Sequence, residues 1–410
     1  MVPVTLALPR VLHPDIVPEP AGRLEGVPGF PHVRRHGLLP QRVPVLVWAR
    51  AAAASAERQL RLLASQPYVV GHVAAMPDVH VASGVAVGTV FATRDHAVPA
   101  ALGGDLGCGV AAQRFDLPAA ALSRGDLRAV LATLARLVPV GDACHAGDGV
   151  PVPDVLREAA LSTRALCRER AYLGPRHLGT LGGGNHFVEL DRAPDGALWA
   201  LVHTGSRGLG AAIRAHHVRA CGPGDLAALP VSQVSGRAYL DDVTWAIAYA
   251  AANRAVILAR VAKALSAFGA APDGDALDVP HNTLQRETHF GEPLLVHRKG
   301  AVRADTGEPV IVPGSMGTAS WLGRGLGLPV ALCSCSHGAG RVLSRKEARG
   351  RIHPRALEQA MRRVVFDERR ASELVEEAPA AYRDIAEVME DQRELVSATT
   401  RLVPVAVLKG

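Results

Sequence analysis

The stretch HLGTLGGGNHFVELDRAPDGALWALVHTGSRG, residues 177–208, decides how this sequence is expected to fold. Its short apolar runs alternate with glycines and polar residues, a pattern typical of strands joined by tight loops. Four glycines precede the pair Asn185-His186, and His203 ends the second apolar run just before a turn. The two histidines lie 17 positions apart, which fits a hairpin or a short crossover that brings both imidazoles together. Either histidine alone would more often be an ordinary core residue.

Two further blocks, residues 68–108 and 277–341, show the same strand-and-loop texture. Segments with apolar residues at helical spacing separate and follow the three blocks. The sequence predicts helices over residues 51–63, 127–138, 155–172, 211–220, 240–267, 346–377 and 382–396. No internal repeat or linker interrupts this order. We therefore expect an α+β fold with a mixed β-sheet and peripheral helices, forming a single compact domain over residues 1–410, with its motifs between about 70 and 410.

Composition excludes several classes of protein. The 410 residues are 48% hydrophobic and 20% charged, which rules out a disordered chain, a coiled coil and collagen. A formal net charge of +6 permits a polyanionic partner such as nucleic acid without requiring one. No run approaches the roughly 18 apolar residues of a membrane span. Six cysteines are too few for a disulfide framework, and the first residues lack a signal-peptide layout, so we expect a cytoplasmic protein.

The first block places a carboxylate and a thiol between glycines that permit sharp turns. In GGDLGCG, Asp105 and Cys108 lie three positions apart and can point into one cavity. A lone cysteine in such a turn is more often a packing residue. With His186, His203 and, after another apolar run, His281, however, five metal-ligand side chains share a strand-to-loop context. Five ligands exceed the four of one tetrahedral centre, so we expect more than one ion; cysteine and histidine alone would suggest zinc.

The third block contains two segments suited to phosphate chemistry. VPGSMG around Ser315 could cradle a phosphate or form a plain turn, and it lacks the order of a Walker loop. Small residues flank His337, and Arg341 and Arg345 follow at near-helical spacing. A helix beginning at about Gly338 would bring both arginines near one face, beside a histidine suited to acid–base or nucleophilic work. The alternative is a capping histidine with surface arginines. The pair His216-His217 is expected on a helix surface.

Taken together, these segments resemble the RtcB family of RNA ligases. The resemblance covers roughly four fifths of the chain, and GNHF, PGSMG and SHGAGR in that order are highly specific to the family. The matching stretches, in the family's order, are MPDVH, GGDLGCG, HLGTLGGGNHFVE, VHTGSRG, HN, RKGAV, VPGSMG, SCSHGAGR and LKG.

The resemblance implies a role for each matching residue. The ligands of two manganese ions would be Asp105, Cys108, His186, His203 and His281, with Cys108 bridging. His337 would attack the α-phosphate of GTP and carry GMP. The residues implied to bind GTP or GMP are Asn185, Phe187, Glu189, Ser315, Ser320, His337, Gly338, Gly340, Tyr382 and Lys409. Those implied to bind RNA-end phosphates are Asn185, Arg207, Arg341 and Arg345.

The implied reaction joins an RNA 3′-phosphate or 2′,3′-cyclic phosphate end to a 5′-hydroxyl end, in tRNA splicing or RNA repair. It would pass through histidine-bound GMP and a 3′-guanylylated RNA end, and some members of the family work with an archease-type activator. The departures GGD, HTGSR and VPHNT from the family's usual wording remove no ligand and no nucleophile. They leave open a paralogue that caps 3′ ends by guanylylation. A dinuclear metal phosphoesterase is a further alternative, in which His337 would have no covalent role.

Overall fold

The computed structural model describes residues 10–12 and 41–410; the remainder of the predicted domain, residues 1–9 and 13–40, lies outside the described residues. Strands and helices are interspersed along the chain, and the strands are numbered in chain order. They are β1 (Arg10–Leu12), β2 (Val45–Val47), β3 (Val70–His80), β4 (Val87–Thr93), β5 (His96–Ala97), β6 (Gly109–Pro118), β7 (Phe187–Arg192), β8 (Ala197–Thr204), β9 (Leu229–Pro230), β10 (Pro272–Pro280), β11 (Asn282–His289), β12 (Glu292–Lys299), β13 (Ala301–Arg303), β14 (Pro309–Val312), β15 (Ser320–Gly325), β16 (Ser334–Ser336) and β17 (Val396–Lys409).

Helices occupy the intervening segments. They are α1 (Ala54–Ala64), α2 (Pro99–Leu102), α3 (Arg124–Leu137), α4 (Asp154–Glu158), α5 (Arg164–His177), α6 (Arg207–Ala220), α7 (Val234–Ser266), α8 (Arg345–Arg351), α9 (Pro354–Ala360), α10 (Ala371–Leu374) and α11 (Ile385–Asp391). Among the described residues, none of them combines the length and the apolar composition that a bilayer crossing requires.

Two large sheets form the centre of the fold. One has six strands in the order β1-β2-β3-β4-β12-β11, and its β2–β3 pair is parallel while the other pairs are antiparallel. The other has seven antiparallel strands in the order β10-β6-β8-β7-β17-β15-β14. The expected α+β class is therefore confirmed. The two sheets also place strands distant in sequence side by side, as with β17 between β7 and β15.

Alternation along the strands shows how the layers pack. In β8, Leu201 joins an apolar cluster that takes residues from both large sheets, whereas Val202 joins a different cluster with Ile257 and Val261 of α7. Because successive strand residues point to opposite faces, the first cluster lies between the sheets and α7 covers the outer face of the seven-stranded sheet. A third cluster packs Leu60 of α1 against the other face of the six-stranded sheet.

Helix α7 is the longest element and reaches the loops at the sheet's edge. Its residues recur in buried positions at helical spacing over 33 residues. At one point it approaches the loop before β6 so closely that a Cβ on Gly107 would lie 2.6 Å from the Cα of Ile247. Gly107 also has a φ of +69°, so only glycine suits this position. The loop that carries Asp105 and Cys108 is thereby pressed against α7.

Three predicted helices differ from the structure. The segment 155–172 is divided into α4 and α5, because Ser162 donates its backbone N–H and hydroxyl to the Asp242 carboxylate and Thr163 caps α5. The segment 346–377 consists of short helices, and 382–396 contains only α11. His217, expected on a surface, is buried and lies 2.7 Å from Asp242.

Candidate active site

Strand ends from both large sheets and the loops after them surround a cavity of about 1090 Å³. Most of the residues singled out from the sequence line it, although they come from distant parts of the chain. Those lining it are Asp105, Cys108, Asn185, Phe187, Glu189, His203, His281, Ser315, His337, Gly338, Gly340, Arg341, Arg345, Tyr382 and Lys409. The predicted residues outside this lining are His186, Ser320 and Arg207.

Cys108 and His203 of the lining lie together with His186, which is just behind it. Cys108 directly precedes β6, and in the antiparallel β7–β8 pair Phe187 lies opposite His203. This pairing is the hairpin that the spacing of the two histidines predicts. It brings the Cys108 Sγ within 3.5 Å of the His186 Nε2 and 3.3 Å of the His203 Nε2. These three donor atoms lie within 4.8 Å of one another, a spacing that could hold a metal ion.

The remaining two predicted ligands extend this group on either side. The Asp105 Oδ2 lies 3.0 Å from the His186 Nε2, and the His281 Nε2 lies 3.3 Å from the His203 Nε2. Asp105 fits only because residue 205 is glycine, since a Cβ there would collide with its carboxylate. We call Asp105, Cys108, His186, His203 and His281 the metal cluster.

The hydrogen bonds of the rings fix which nitrogens can bind a cation. His186 Nδ1 lies 2.9 Å from the Leu181 carbonyl oxygen, and His203 Nδ1 lies 3.1 Å from the Asn185 carbonyl oxygen. A carbonyl only accepts, so each Nδ1 carries a proton and each Nε2 is the nitrogen that faces the Cys108 sulfur. Imidazole Nε2 atoms beside a thiol and a carboxylate are the donor set of a borderline metal ion. The residues therefore fit a bound metal.

Burial governs the electrostatics of the metal cluster. It lowers the pKa of His203 and His281 well below the ordinary histidine value, and neighbouring histidines lower both further. Burial also raises the pKa of Cys108, helped by the charge of Asp105. Burial alone would raise the pKa of Asp105, but its interactions with His186 outweigh this and leave it below the usual range. His203 and His281 are thus held as neutral rings, and a bound cation would favour the Cys108 thiolate.

His337 lies next to the metal cluster and is held by an acid. It directly follows β16, and its ring centroid is 4.8 Å from that of His281. Its Nδ1 lies 2.5 Å from the Oδ2 of Asp78, a fully buried carboxylate that also accepts the His337 backbone N–H at 3.1 Å. A neutral ring with its proton on Nδ1, facing the Asp78 carboxylate, would present an unprotonated Nε2. Sequence reasoning assigned no role to Asp78; its signal was an aspartate inside an apolar strand.

Arg341 and Arg345 reach the cavity by a different route from the one expected. Residues 337–344 form a loop, and the helix predicted near Gly338 begins only at Arg345, where Ser344 and Glu347 form a capping box. Instead, the Arg341 guanidinium donates to Glu377 at 3.1 Å, and Arg345 Nε lies 3.6 Å from the same carboxylate. Glu377, which no motif indicated, contacts both arginines, and its neighbour Glu376 contacts them as well.

Glu377 also holds the residues expected to grip a nucleotide. The Tyr382 hydroxyl donates to its Oε2 at 2.5 Å, and the Lys409 Nζ lies 3.2 Å from the same oxygen. Burial would raise the pKa of Glu377, but Lys409, Tyr382 and Arg341 outweigh it, so the pKa is lowered and the carboxylate is ionised. We call Glu377, Arg341, Tyr382 and Lys409 the acid-centred cluster.

The C-terminal residues form a strand of the seven-stranded sheet. In this strand, β17, Lys409 pairs with Phe187 and its Nζ lies 5.3 Å from the centroid of the Phe187 ring. The strand pairing places Lys409 beside the loop that carries the metal ligand His186. Packing in the sheet therefore holds the LKG ending at the cavity.

The other residues proposed for the nucleotide sit on the same side of the cavity. Glu189 is buried on β7, and Ser320, behind the lining, donates to it at 3.3 Å. Burial raises the pKa of both Glu189 and its neighbour Asp191. Ser315 lies in a loop closed by hydrogen bonds to Thr318. This loop is a turn that also lines the cavity.

Arg207 is turned away from the cavity. Its guanidinium donates to Thr180 Oγ1 at 3.2 Å and to the Gly141 carbonyl at 3.1 Å. His186, also outside the lining, instead contacts Cys108 and Asp105. A cation that sequence reasoning did not assign, Lys299, does line the cavity, where it donates to two backbone carbonyls and where burial lowers its pKa to about 8.

Comparison with known proteins finds similarity to RNA- and tRNA-splicing ligases. A family model described as "tRNA-splicing ligase RtcB" matches residues 59–162 and 154–410. The "RNA-splicing ligase RtcB" of Escherichia coli K12 is 35% identical over 91% of this chain and 99% of its own length. The protein of the same description from Mycobacterium tuberculosis is 32% identical over 85% and 99%. The "tRNA-splicing ligase RtcB" of Pyrobaculum aerophilum is 29% identical over 82% and 87%.

Proposed function

The chain belongs to the RtcB family, whose relatives are RNA-splicing ligases, and from this we propose how its cavity joins RNA ends. It is an RNA ligase of the RtcB type. More specifically, we propose that it joins RNA 3′-phosphate or 2′,3′-cyclic phosphate ends to 5′-hydroxyl ends. GTP would supply the GMP that activates the 3′ end. The observation that carries it is the position of His337, between the buried carboxylate of Asp78 and the metal cluster.

The first stage is transfer of GMP to His337. Asp78 holds the ring with Nδ1 toward its carboxylate, which leaves Nε2 with the lone pair that attacks the α-phosphate of GTP. A phosphorus–nitrogen bond forms and pyrophosphate leaves. On the opposite side, Glu189, Phe187 and Lys409 surround the space proposed for the guanine.

The second stage moves GMP to the RNA and then expels it. An RNA 3′-phosphate oxygen attacks the phosphorus of the histidine-bound GMP, which frees His337 and leaves a 3′-guanylylated end. The RNA 5′-hydroxyl then attacks the 3′-phosphate, forms the phosphodiester and releases GMP. Arg341 and Arg345, fixed by Glu377, are proposed to hold the RNA phosphates.

The metal cluster is proposed to hold two manganese ions, and Cys108 would be among their ligands. When bound, such ions neutralise phosphate charge and polarise phosphoryl oxygens. The choice of manganese rests on the family, since the donor atoms alone would also suit zinc. Arg207, which faces away from the cavity, stays a prediction for RNA contact. So do a single domain over residues 1–410, a cytoplasmic location and an archease-type activator.

The linkage to GMP tests this proposal directly. The full-length protein is incubated with α-labelled GTP and Mn²⁺, denatured, and treated with acid or alkali. A histidine phosphoramidate should lose its label in acid and keep it in alkali, and peptide mapping should place it on His337. Labelling should vanish in His337→Ala and persist in His353→Ala, a histidine that is exposed at the start of α9. Label on any other residue would contradict the proposal.

Sealing separates the ligase from a capping paralogue. With RNA that carries 3′-phosphate and 5′-hydroxyl ends, we expect the sealed product to exceed the guanylylated end at completion. Accumulation of the capped end with little sealing would instead favour 3′-end guanylylation as the activity.

A further inference from the structure

Two neighbouring polar residues of α7, Asn253 and Arg254, lie wholly within the protein beneath the metal cluster. Both side chains have 0% exposure, and Arg254 is among the largest fully buried side chains of the described residues. A guanidinium at such a depth is costly unless each of its N–H groups has a partner. None of the steps of ligation proposed above uses either residue.

The Arg254 guanidinium is bonded to the segments that carry three metal ligands. Its Nε and NH2 groups donate to the two oxygens of the Asp278 carboxylate, forming a bidentate ion pair in which the NH2 nitrogen lies 2.8 Å from Oδ2. Its NH1 donates to the carbonyls of Gly107 at 2.8 Å and Thr204 at 2.9 Å. Gly107 directly precedes Cys108, and Thr204 directly follows His203. Asp278 stands three residues before His281 on β10.

Asn253 bonds to the loop that leads to His186 and to Gly205, which packs against Asp105. Its Oδ1 accepts the Gly179 N–H at 2.6 Å, and its Nδ2 donates to the Thr180 carbonyl at 3.1 Å, in the loop that leads to His186. The same Nδ2 donates at 3.1 Å to the carbonyl of Gly205, the residue packed against Asp105. Two consecutive residues of one helix thus connect the backbone around the whole metal cluster.

We propose that Asn253 and Arg254 are positioning residues that set the affinity of the metal cluster for its ions. The inference rests on the proposed function only in taking the cluster as a metal site. Donor atoms must converge to within a few tenths of an ångström for tight binding, and Asn253 and Arg254 together bond to all four segments that carry them. Partners of this kind, one step removed from the ligands, commonly change metal affinity by about 10- to 100-fold.

Arg298 provides a matched control. It is equally buried, forms a fork with the Glu287 carboxylate and donates to the Leu332 carbonyl at 2.9 Å. Neither of these partners adjoins a metal ligand in the chain. Arg254→Lys and Arg298→Lys therefore remove the same fork from the same degree of burial. A merely structural role predicts the same consequences for both variants.

The experiment titrates Mn²⁺ into metal-stripped, full-length protein by calorimetry, and records the melting temperature of each variant. Co²⁺ serves as a second probe, because its thiolate charge-transfer absorption reports ligation by Cys108. We expect Arg254→Lys to weaken Mn²⁺ binding by about 10- to 100-fold and to reduce the Co²⁺–thiolate band. Arg298→Lys should lower the melting temperature comparably and bind Mn²⁺ like the wild type.

Asp278→Asn keeps the proposal falsifiable if the lysine variants fail to fold. Its side chain is 36% exposed, so this change is milder, and it loosens the Arg254 anchor without removing a ligand. We expect several-fold weaker Mn²⁺ binding. Wild-type affinity in both Arg254→Lys and Asp278→Asn, equal weakening in Arg298→Lys, or no Mn²⁺ binding by the wild type would overturn the inference. Normal Mn²⁺ binding by a wild type that takes no GMP would contradict the proposed function alone.

Discussion

The metal cluster and the acid-centred cluster occupy one cavity but are built on opposite principles. The first presents neutral imidazole lone pairs and a thiol whose pKa is raised by burial, so it favours a cation. The second gathers two cationic side chains and a phenol around one ionised carboxylate, Glu377. One region is thus suited to receive a cation, whereas the other carries cationic side chains held by an acid and is proposed to bind phosphates and a base. Variants in the two regions should therefore fail in different ways.

The largest effect is expected from Cys108→Ala. Loss of the sulfur that lies nearest two ligand nitrogens should remove metal and reduce ligation to background, with a melting temperature within about 5 °C of the wild type. Metal analysis and thermal melting check this. Cys335→Ala, which removes another fully buried sulfur, is the control and should retain its metal. Full metal content and activity in Cys108→Ala would refute the role given to this residue.

A change at Asp78 tests the carboxylate that lies against the His337 ring and is proposed to assist GMP transfer. Asp78→Asn removes the carboxylate beside His337 Nδ1 and should slow GMP transfer by about 10²-fold or more, because the ring loses its orientation and proton placement. Single-turnover labelling with GTP measures the rate, and metal content should not change. A rate within about threefold of the wild type would mean that Asp78 only packs beneath the ring.

A smaller effect is expected from Glu377→Gln. The amide keeps the shape but not the charge that fixes Lys409 and Arg341, so we expect half-maximal labelling to need about 10-fold more GTP. Mn²⁺ affinity should stay unchanged, which distinguishes the two regions. Glu376→Gln, which alters the neighbouring acid that pairs with Arg345 and Arg349 but not with Lys409, provides the control. Weaker Mn²⁺ binding in Glu377→Gln would show that the two regions are not separable.

The smallest effect is expected from Lys409→Met, which preserves the length and pairing of β17. Loss of the ammonium should reduce the preference for GTP over ATP by several-fold, because the cation next to Phe187 and Glu377 is proposed to contact guanine. Competition between the two nucleotides in the labelling reaction measures this preference. Unchanged discrimination would make Lys409 a purely structural residue of the strand.

The two regions also differ in how far the sequence could predict them. Asp105, Cys108 and the three histidines are chemically distinctive and stand at strand ends, so residue type and turn glycines sufficed to group them. The 17-residue spacing fitted a hairpin or a short crossover, and the structure has the hairpin that pairs Phe187 with His203. Local patterns are informative here because each ligand lies at or near the end of a strand.

The acid-centred cluster could not be predicted in this way. Glu377 is the last residue of a segment predicted as continuous helix and carries no motif, and only the tertiary fold brings it to Lys409 and Arg341. The helix expected at Gly338 does not form. Arg341 is instead positioned by its hydrogen bond to Glu377. His217 was misplaced for the same reason, because its buried partner Asp242 is contributed by another helix.

The central claim is that His337 carries GMP and has no further part in joining the RNA ends. The measurement is sealing by His337→Ala of an RNA whose 3′ end is supplied already guanylylated, with Mn²⁺ and a 5′-hydroxyl partner strand. The account predicts that this variant seals the activated end at a rate near that of the wild type while failing on a plain 3′-phosphate. Failure on the activated end, with metal content and melting temperature intact, would contradict it.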